Sequence, residues 1–186
     1  MIPDFNNVGL LPPYGYEGPQ EIENRSPYPS TLIDFVERFS TTPQRGDLLQ
    51  NFINYRKSLR ATGLTSGIQW IGGSFVEDCE EIRKRPPDDI DVVNFFYPFD
   101  DKDKWRELVG GNIDLFNPSY NKKTFNCDAY TYEINKNSIE YIAYYLTMFS
   151  HQRRTENWKG IVQLDFSEAS ENTAEEILQE RRVAWL

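Results

Sequence analysis

The sequence predicts an α/β fold, α+β by stricter accounting: a small mixed β-sheet flanked by helices. Three observations carry this expectation. Short apolar runs near 67–71, 89–96, 125–134 and 160–166 alternate with longer segments whose apolar residues recur at helical spacing. Gly, Pro and Asn punctuate the boundaries between them. A length of 186 residues suits one domain with a real core, and 15% aromatic residues argue against a disordered chain. The expected organisation is an extended N-terminal arm over 1–29, then a single domain over 30–186 ending in a C-terminal helix.

Residues 1–29 hold six prolines, which block a regular helix. The arm is expected to tuck against its own core through Phe5, Leu10, Leu11, Tyr14 and Tyr16. Ser30 caps a helix reaching about Phe39, with Leu32, Ile33, Phe35, Val36 and Phe39 apolar. Pro43 and Gly46 punctuate the chain before a second helix from Asp47 to Ala61, stopped by Gly63. Gly67–Ile71 is the first strand of the sheet. At Gly72-Gly73-Ser74 the chain turns into a short helix carrying Phe75, Val76 and Cys79 on one side, and Glu80 to Pro87 reads as a basic loop. Asp89 to Phe96 forms the next strand, ended by Pro98. A helix over 101–109 turns Trp105 and Leu108 inward, and 112–124 reads as a loop. Around Asp128 a strand alternates Asn126, Asp128, Tyr130 and Tyr132 against Phe125, Cys127, Ala129 and Thr131. Asn137 or Ser138 caps a helix to about Gln152, so apolar that it is expected mainly in the core. Gly160–Phe166 is the fourth strand, and Thr173–Ala184 a charged helix with Ile177, Leu178, Val183 and Trp185 on its apolar side.

Chemistry concentrates between 70 and 94. Residues i and i+2 of a strand share a face, so Asp89 and Asp91 point one way while Ile90 and Val92 point into a core. Two adjacent carboxylates repel unless a cation sits between them. Hard oxygen ligands with little else nearby suit Mg²⁺, which keeps some waters and borrows ligands from substrate phosphates. The Gly72-Gly73-Ser74 turn offers backbone N–H groups and a hydroxyl where a phosphate can approach closely. Alone, a Gly-Gly-Ser turn is common and Asp-x-Asp often sits on an exposed strand; their order between two strands is what carries weight.

Gly73-Ser74, then Asp89-x-Asp91, then Asp128 on a later strand together resemble the nucleotidyltransferase superfamily, which includes DNA polymerase beta, CCA-adding enzymes and minimal bacterial nucleotidyltransferases. The spacer between the first two parts is long, because the stretch from Glu80 to Pro87 looks inserted. Gly-Ser-Phe-Val at 73–76, Pro-x-Asp-Ile-Asp-Val at 87–92 and the opening Ile2-Pro3-x-Phe5-Asn6 also resemble a poorly characterised bacterial family of small stand-alone members. The resemblance implies the minimal nucleotidyltransferase fold and transfer of a nucleoside monophosphate from a nucleoside triphosphate, ribo or deoxyribo, to an acceptor hydroxyl. In that reading Asp89, Asp91 and Asp128 hold two Mg²⁺ ions about 3.5–4 Å apart. Asp128 binds the catalytic metal and accepts the acceptor's proton. Gly73 and Ser74 hold the β- and γ-phosphates, and Lys122, Lys123, Arg153 or Arg154 neutralise the triphosphate. Acceptors across the superfamily differ, and the fold does not choose among them. By analogy with small stand-alone bacterial members, the resemblance implies an RNA end, a protein or a growing oligonucleotide as acceptor, a toxin–antitoxin or anti-phage defence setting, and a partner protein or homo-oligomer. The competing expectation is a nucleotidyltransferase-like binding module without turnover, acting as a nucleotide sensor or partner subunit.

Bulk properties narrow the classes. A formal net charge of −9 disfavours tight nonspecific binding to nucleic acid, whose affinity comes largely from phosphate neutralisation. Local clusters remain at Arg83-Lys84-Arg85, Lys122-Lys123, Arg153-Arg154 and Arg181-Arg182. Cys79, Cys127 and a single His give no zinc spacing. No run approaches the length of a membrane span, and no start-proximal segment resembles a secretion signal. A cytoplasmic location is expected.

Overall fold

The computed structural model describes residues 1–101 and 103–185. Five strands form one mixed sheet: β1 (Tyr28–Ser30), β2 (Gly67–Gly72), β3 (Ile90–Phe96), β4 (Cys127–Glu133) and β5 (Val162–Asp165). Their spatial order is β1-β5-β2-β3-β4. The pairs β1·β5 and β3·β4 are parallel, whereas β2 runs antiparallel to both β5 and β3. The helices are α1 (Leu32–Phe39), α2 (Pro43–Ala61), α3 (Cys79–Arg83), α4 (Lys104–Gly111), α5 (Pro118–Phe125), α6 (Ser138–Phe149) and α7 (Glu171–Val183). No helix among the described residues is long and apolar enough to cross a membrane.

The strand alternation divides the core by faces. Ile71, Ile90, Val92, Phe96, Cys127, Ala129, Val162 and Leu164 join α1, α2 and α7 in the main core. Trp70, Val93 and Phe95 face the other way, where Tyr145 and Phe149 of α6 cover them. Sheet residues Asp91 and Asp128 belong to this second, thinly covered face by the same alternation.

Several boundaries move for identifiable reasons. Thr31, not Ser30, caps α1, its side chain accepting from the Asp34 N–H. Pro43 opens α2 as its first residue with Thr42 as cap, so Pro43 starts a helix where a break was expected. The expected loop at 112–124 folds as a 3₁₀ turn, Ile113–Phe116, and then α5, capped by Asn117 with Pro118 at its start. Of the helix expected over 101–109, Lys102 lies outside the described residues, as does Leu186 at the end of the expected domain; the helix runs Lys104–Gly111. The expected boundary at residue 29 falls inside β1. The arm is stitched down around its two leucines: Leu10 and Leu11 are fully buried, the Asp78 N–H donates to Gly9 O at 2.9 Å, and the Gly160 N–H donates to Leu11 O at 2.7 Å, whereas Tyr16, expected against the core, is fully exposed.

The largest correction concerns α6. Of its twelve residues only Ser138, Tyr145 and Phe149 are buried. Ile139, Tyr141, Tyr144, Leu146 and Met148 are exposed. Among the described residues the helix packs by one narrow edge on the sheet face with no further helix layered over it, so apolar content did not translate into burial.

Candidate active site

The small-residue turn follows from the backbone at Gly73. Its φ is +63°, and a Cβ there would stand 1.6 Å from Asp91 Oδ2. Glycine is therefore required twice, for a left-handed backbone and for the approach of the carboxylate. The following 3₁₀ turn, Ser74–Val76, is held from beneath by buried cations. Arg45 of α2 donates to the carbonyls of Phe75 at 2.7 Å and Glu77 at 2.6 Å, and pairs with Glu80 at 2.8 Å. Lys159 donates to Gly73 O at 2.6 Å and to Glu77 Oε1 at 2.5 Å. Glu77 also accepts from Gln152 Nε2 at 3.1 Å and pairs with Arg83. The expected helix N-terminus at Ser74 is only this three-residue 3₁₀ turn; α3 begins at Cys79 with Asp78 as cap.

The carboxylates converge beside the turn. Parallel pairing of β3 with β4 sets Asp91 directly across from Asp128, and antiparallel pairing with β2 sets Asp91 across from Gly72. Asp89 comes from the residue before β3. From α5, the Lys122 ammonium reaches back to bridge two of the three acids, 2.8 Å from Asp89 Oδ2 and 3.2 Å from Asp128 Oδ2. Hydrogen bonding to Asp89, then to Asp128, pushes the Lys122 ammonium up against a smaller opposing effect of burial. Asp91 has no such partner. Burial, together with the charges of Asp89 and Asp128, raises it to about 6.

These groups line one open cavity of about 790 Å³, a volume suited to a nucleotide. Gly73, Ser74, Asp89, Asp91, Lys122 and Asp128 all border it. Arg83, Arg85, Arg153, Arg154 and Lys159 border it as well, so cations gather here on a chain whose net charge is −9. Arg153 and Arg154 sit on a tight hairpin closed by Lys159 N–H to Ser150 O at 2.8 Å and Gln152 N–H to Asn157 O at 2.9 Å. Arg154 and Glu156 adopt positive φ there, +80° and +59°, uncommon for residues with a side chain.

Eight of the nine residues expected at the site are thus brought to one cavity. Lys123 is not: it is exposed on α5 and does not border the cavity, because one helical step turns it about 100° away from Lys122. Lys122 contacts the carboxylates instead of standing by the phosphate turn. Sequence reasoning missed Arg45, Glu77 and Lys159. An isolated Glu, Lys or Arg carries no local signal, and their roles arise from contacts 30 or more residues apart. Among the described residues no group of three or more His, Cys, Asp and Glu side chains converges at metal-ligating geometry. Asp89 and Asp128 are instead spaced around a cation, and the crowding of Asp91 by these two carboxylates fits the chemistry of a divalent-ion site.

The fold and site define a mixed α/β chain with a turn held by buried cations, three carboxylates and an arginine-lined wall around one cavity. The chain belongs to a family of unknown function, DUF6932, whose profile matches residues 3–165. No curated protein and no solved structure gives a significant match.

Proposed function

We propose that the protein is a Mg²⁺-dependent nucleotidyltransferase. One observation carries the reading: Gly73, Asp89, Asp91 and Asp128 come together from three separate segments into a single cavity also bordered by four arginines. Mg²⁺ held by Asp89, Asp91 and Asp128 would supply charge neutralisation at the attacking and leaving oxygens. With an ion bound there, Lys122 would give up its bridge between Asp89 and Asp128 and pair with the phosphates. Ser74, half-buried with its side chain at the cavity, hydrogen-bonds the phosphate chain beside the backbone of Gly73. Arg153 and Arg154 face the same space and take the outer phosphates. An acceptor oxygen forms a bond to the α-phosphorus, the bond from that phosphorus to the bridging oxygen of the β-phosphate breaks, and pyrophosphate leaves. The acceptor's proton passes to Asp128.

The second reading, a nucleotide-binding module without turnover, is favoured by the Lys122 bridge, since an ammonium already does for Asp89 and Asp128 what a metal would do. One experiment separates the two. The purified protein is incubated with Mg²⁺ and α-labelled ribo- and deoxyribonucleoside triphosphates, alone and with bulk RNA, and products are resolved by size and by nuclease or protease sensitivity. Label transfer that falls by several orders of magnitude in Asp91→Asn is the expected result, each tenfold corresponding to about 1.36 kcal/mol of transition-state stabilisation. Transfer that survives Asp91→Asn unchanged removes the mechanism. Nucleotide binding with no transfer under any condition establishes the binding module.

A further inference from the structure

Five of the chain's eleven tyrosines gather at one place outside the cavity, and their arrangement has a direction. Strand alternation puts Asp128, Tyr130 and Tyr132 in one row along β4. Helical spacing puts Tyr141, Tyr144 and Met148 in a second row along α6. The two rows meet ring to ring: Tyr132 stacks on Tyr141 with centroids 4.2 Å apart and an interplanar angle of 22°. Tyr145 lies between them, buried, 5.8 Å from Tyr130 and 5.0 Å from Tyr144, its hydroxyl 3.0 Å from that of Tyr132. Both rows end at the cavity, which Asp128 and Met148 border. At the opposite end stands the Tyr132–Tyr141 stack. The rings toward solvent are open, with Tyr144 59%, Tyr141 41% and Tyr130 37% exposed.

We infer that this tyrosine track binds the acceptor as a single-stranded oligonucleotide, its bases stacked on the rings and its terminal hydroxyl delivered to Asp128. The inference rests on the nucleotidyl-transfer reading of the cavity and names the acceptor class for it. Successive same-face residues of a strand stand about 6.6–6.8 Å apart, a distance one nucleotide of an extended strand spans. Tyr132 is itself stacked against Phe95 and Tyr141, so the open rings of Tyr130, Tyr141 and Tyr144 form the platform, and the step from Asp128 to Tyr130 accommodates about one nucleotide upstream of the reacting end. Aromatic rings accept any base through its π-face, so a strand is held with little dependence on sequence. With a net charge of −9, phosphate neutralisation over the whole surface cannot supply the affinity. Stacking does, helped at the inner end by Lys122. A patch built for a folded protein partner has no need of rows that lead to the carboxylates. A duplex is excluded, because its bases are already stacked on one another.

The test is fluorescence anisotropy with labelled 12-nucleotide single strands of RNA and of DNA, and with the corresponding duplexes, without Mg²⁺ or nucleotide so that binding is read apart from chemistry. Single strands of either sugar are expected to bind, and duplexes at least tenfold more weakly. Tyr144→Ala and Tyr141→Ala are each expected to weaken strand binding roughly tenfold, from the loss of one stacking partner. Both positions are exposed, so the fold tolerates the change, and Tyr144→Trp restores binding. Equal affinity of wild type and both alanine variants overturns the track. So does the absence of strand binding, and an accompanying self-association that Tyr144→Ala abolishes assigns the face to a protein interface instead. Label transfer to a protein or mononucleotide without strand binding overturns the track while leaving the nucleotidyltransferase reading intact. Tyrosine-dependent strand binding without any transfer removes the chemistry and keeps the track.

Discussion

Asp91 carries the sharpest conflict in the molecule. Its pKa of about 6 means that the folded state holds the proton more tightly than the unfolded chain, whose aspartates titrate near 3.9. Above pH 6 the ionised group therefore destabilises the fold, and the penalty is relieved as pH falls from 6 towards 4. A two-unit shift corresponds to roughly 3 kcal/mol. Asp91→Asn is accordingly expected to raise the stability of the metal-free protein by up to roughly 3 kcal/mol at pH 8 and by about half that at pH 5. Thermal melts in chelator at the two pH values measure it, and a variant no more stable than wild type at pH 8 disproves the cause given for the shift. Gly73 is bound to the same carboxylate by contact. Gly73→Ala adds a strained backbone conformation, worth about 1–3 kcal/mol, and a methyl group where Asp91 Oδ2 now stands. The expected result is a lower melting temperature and lost nucleotide binding. The double variant Gly73→Ala/Asp91→Ala should recover part of the stability but none of the activity.

At the scale of elements, the site is two pieces of chain nailed together. The arginine hairpin between α6 and β5 and the turn after β2 are joined by hydrogen bonds of Glu77, Lys159 and Gln152. Glu77 and Lys159 are each 2% exposed, and burial lowers the Lys159 ammonium even though Glu77 and Asp91 oppose that effect. A buried pair of this kind contributes little compared with an apolar replacement, yet breaking one half is expensive. Lys159→Met is expected to destabilise by about 3–5 kcal/mol. Adding Glu77→Gln to it should cost less than the sum of the two single changes, because the second removes the charge the first had stranded. Chemical denaturation of the four proteins of this cycle gives the coupling directly. Simple additivity would mean that the pair does not join the hairpin to the turn.

Across the whole molecule a second buried network ties the helical layer to the sheet. Arg56 of α2, fully buried, pairs with Glu171 of α7 at 2.9 Å and donates to Gln69 on β2. Gln69 continues to Asn94 on β3 at 2.6 Å, and Asn94 donates to Tyr55 OH at 2.9 Å and to Thr131 on β4 at 3.0 Å. Burial pushes Glu171 up, but Arg56 and Arg60 outweigh it and hold the carboxyl below its usual range. A depressed carboxylate contributes stability above its unfolded pKa, near 4.3, that is lost as pH falls through its folded value. Glu171 and Asp91 thus slope in opposite directions: Asp91 favours lower pH down to about 4, below which the loss of Glu171 takes over, so these two groups together favour about pH 4 to 4.5 in the metal-free protein. Glu171→Gln is expected to cost about 3–5 kcal/mol at pH 7 by leaving Arg56 charged and buried, and to flatten the acid limb of a pH–stability curve. A normal acid limb in that variant would place the acid sensitivity elsewhere.

By itself the sequence determined what local pattern can carry. Short apolar runs located β2, β3, β4 and β5, and period-two alternation set Asp91 and Asp128 on faces opposite Val92 and Ala129. The glycine turn and the acids were legible because a left-handed backbone and paired charges leave compositional marks. Only the tertiary structure decided the rest. The strand β1 is three residues in a proline-rich arm, and it forms only because β5 offers an edge for parallel pairing. Lys122 and Lys123 look alike in sequence, and the rotation of α5 alone separates them. The apolar content of α6 predicted burial, but burial depends on what packs above a helix, and among the described residues nothing covers its outer side. The partnership of Lys159 with Glu77 spans 82 residues of chain. Contacts between residues so far apart exist only once the sheet has ordered its strands, so no stretch of sequence contains them.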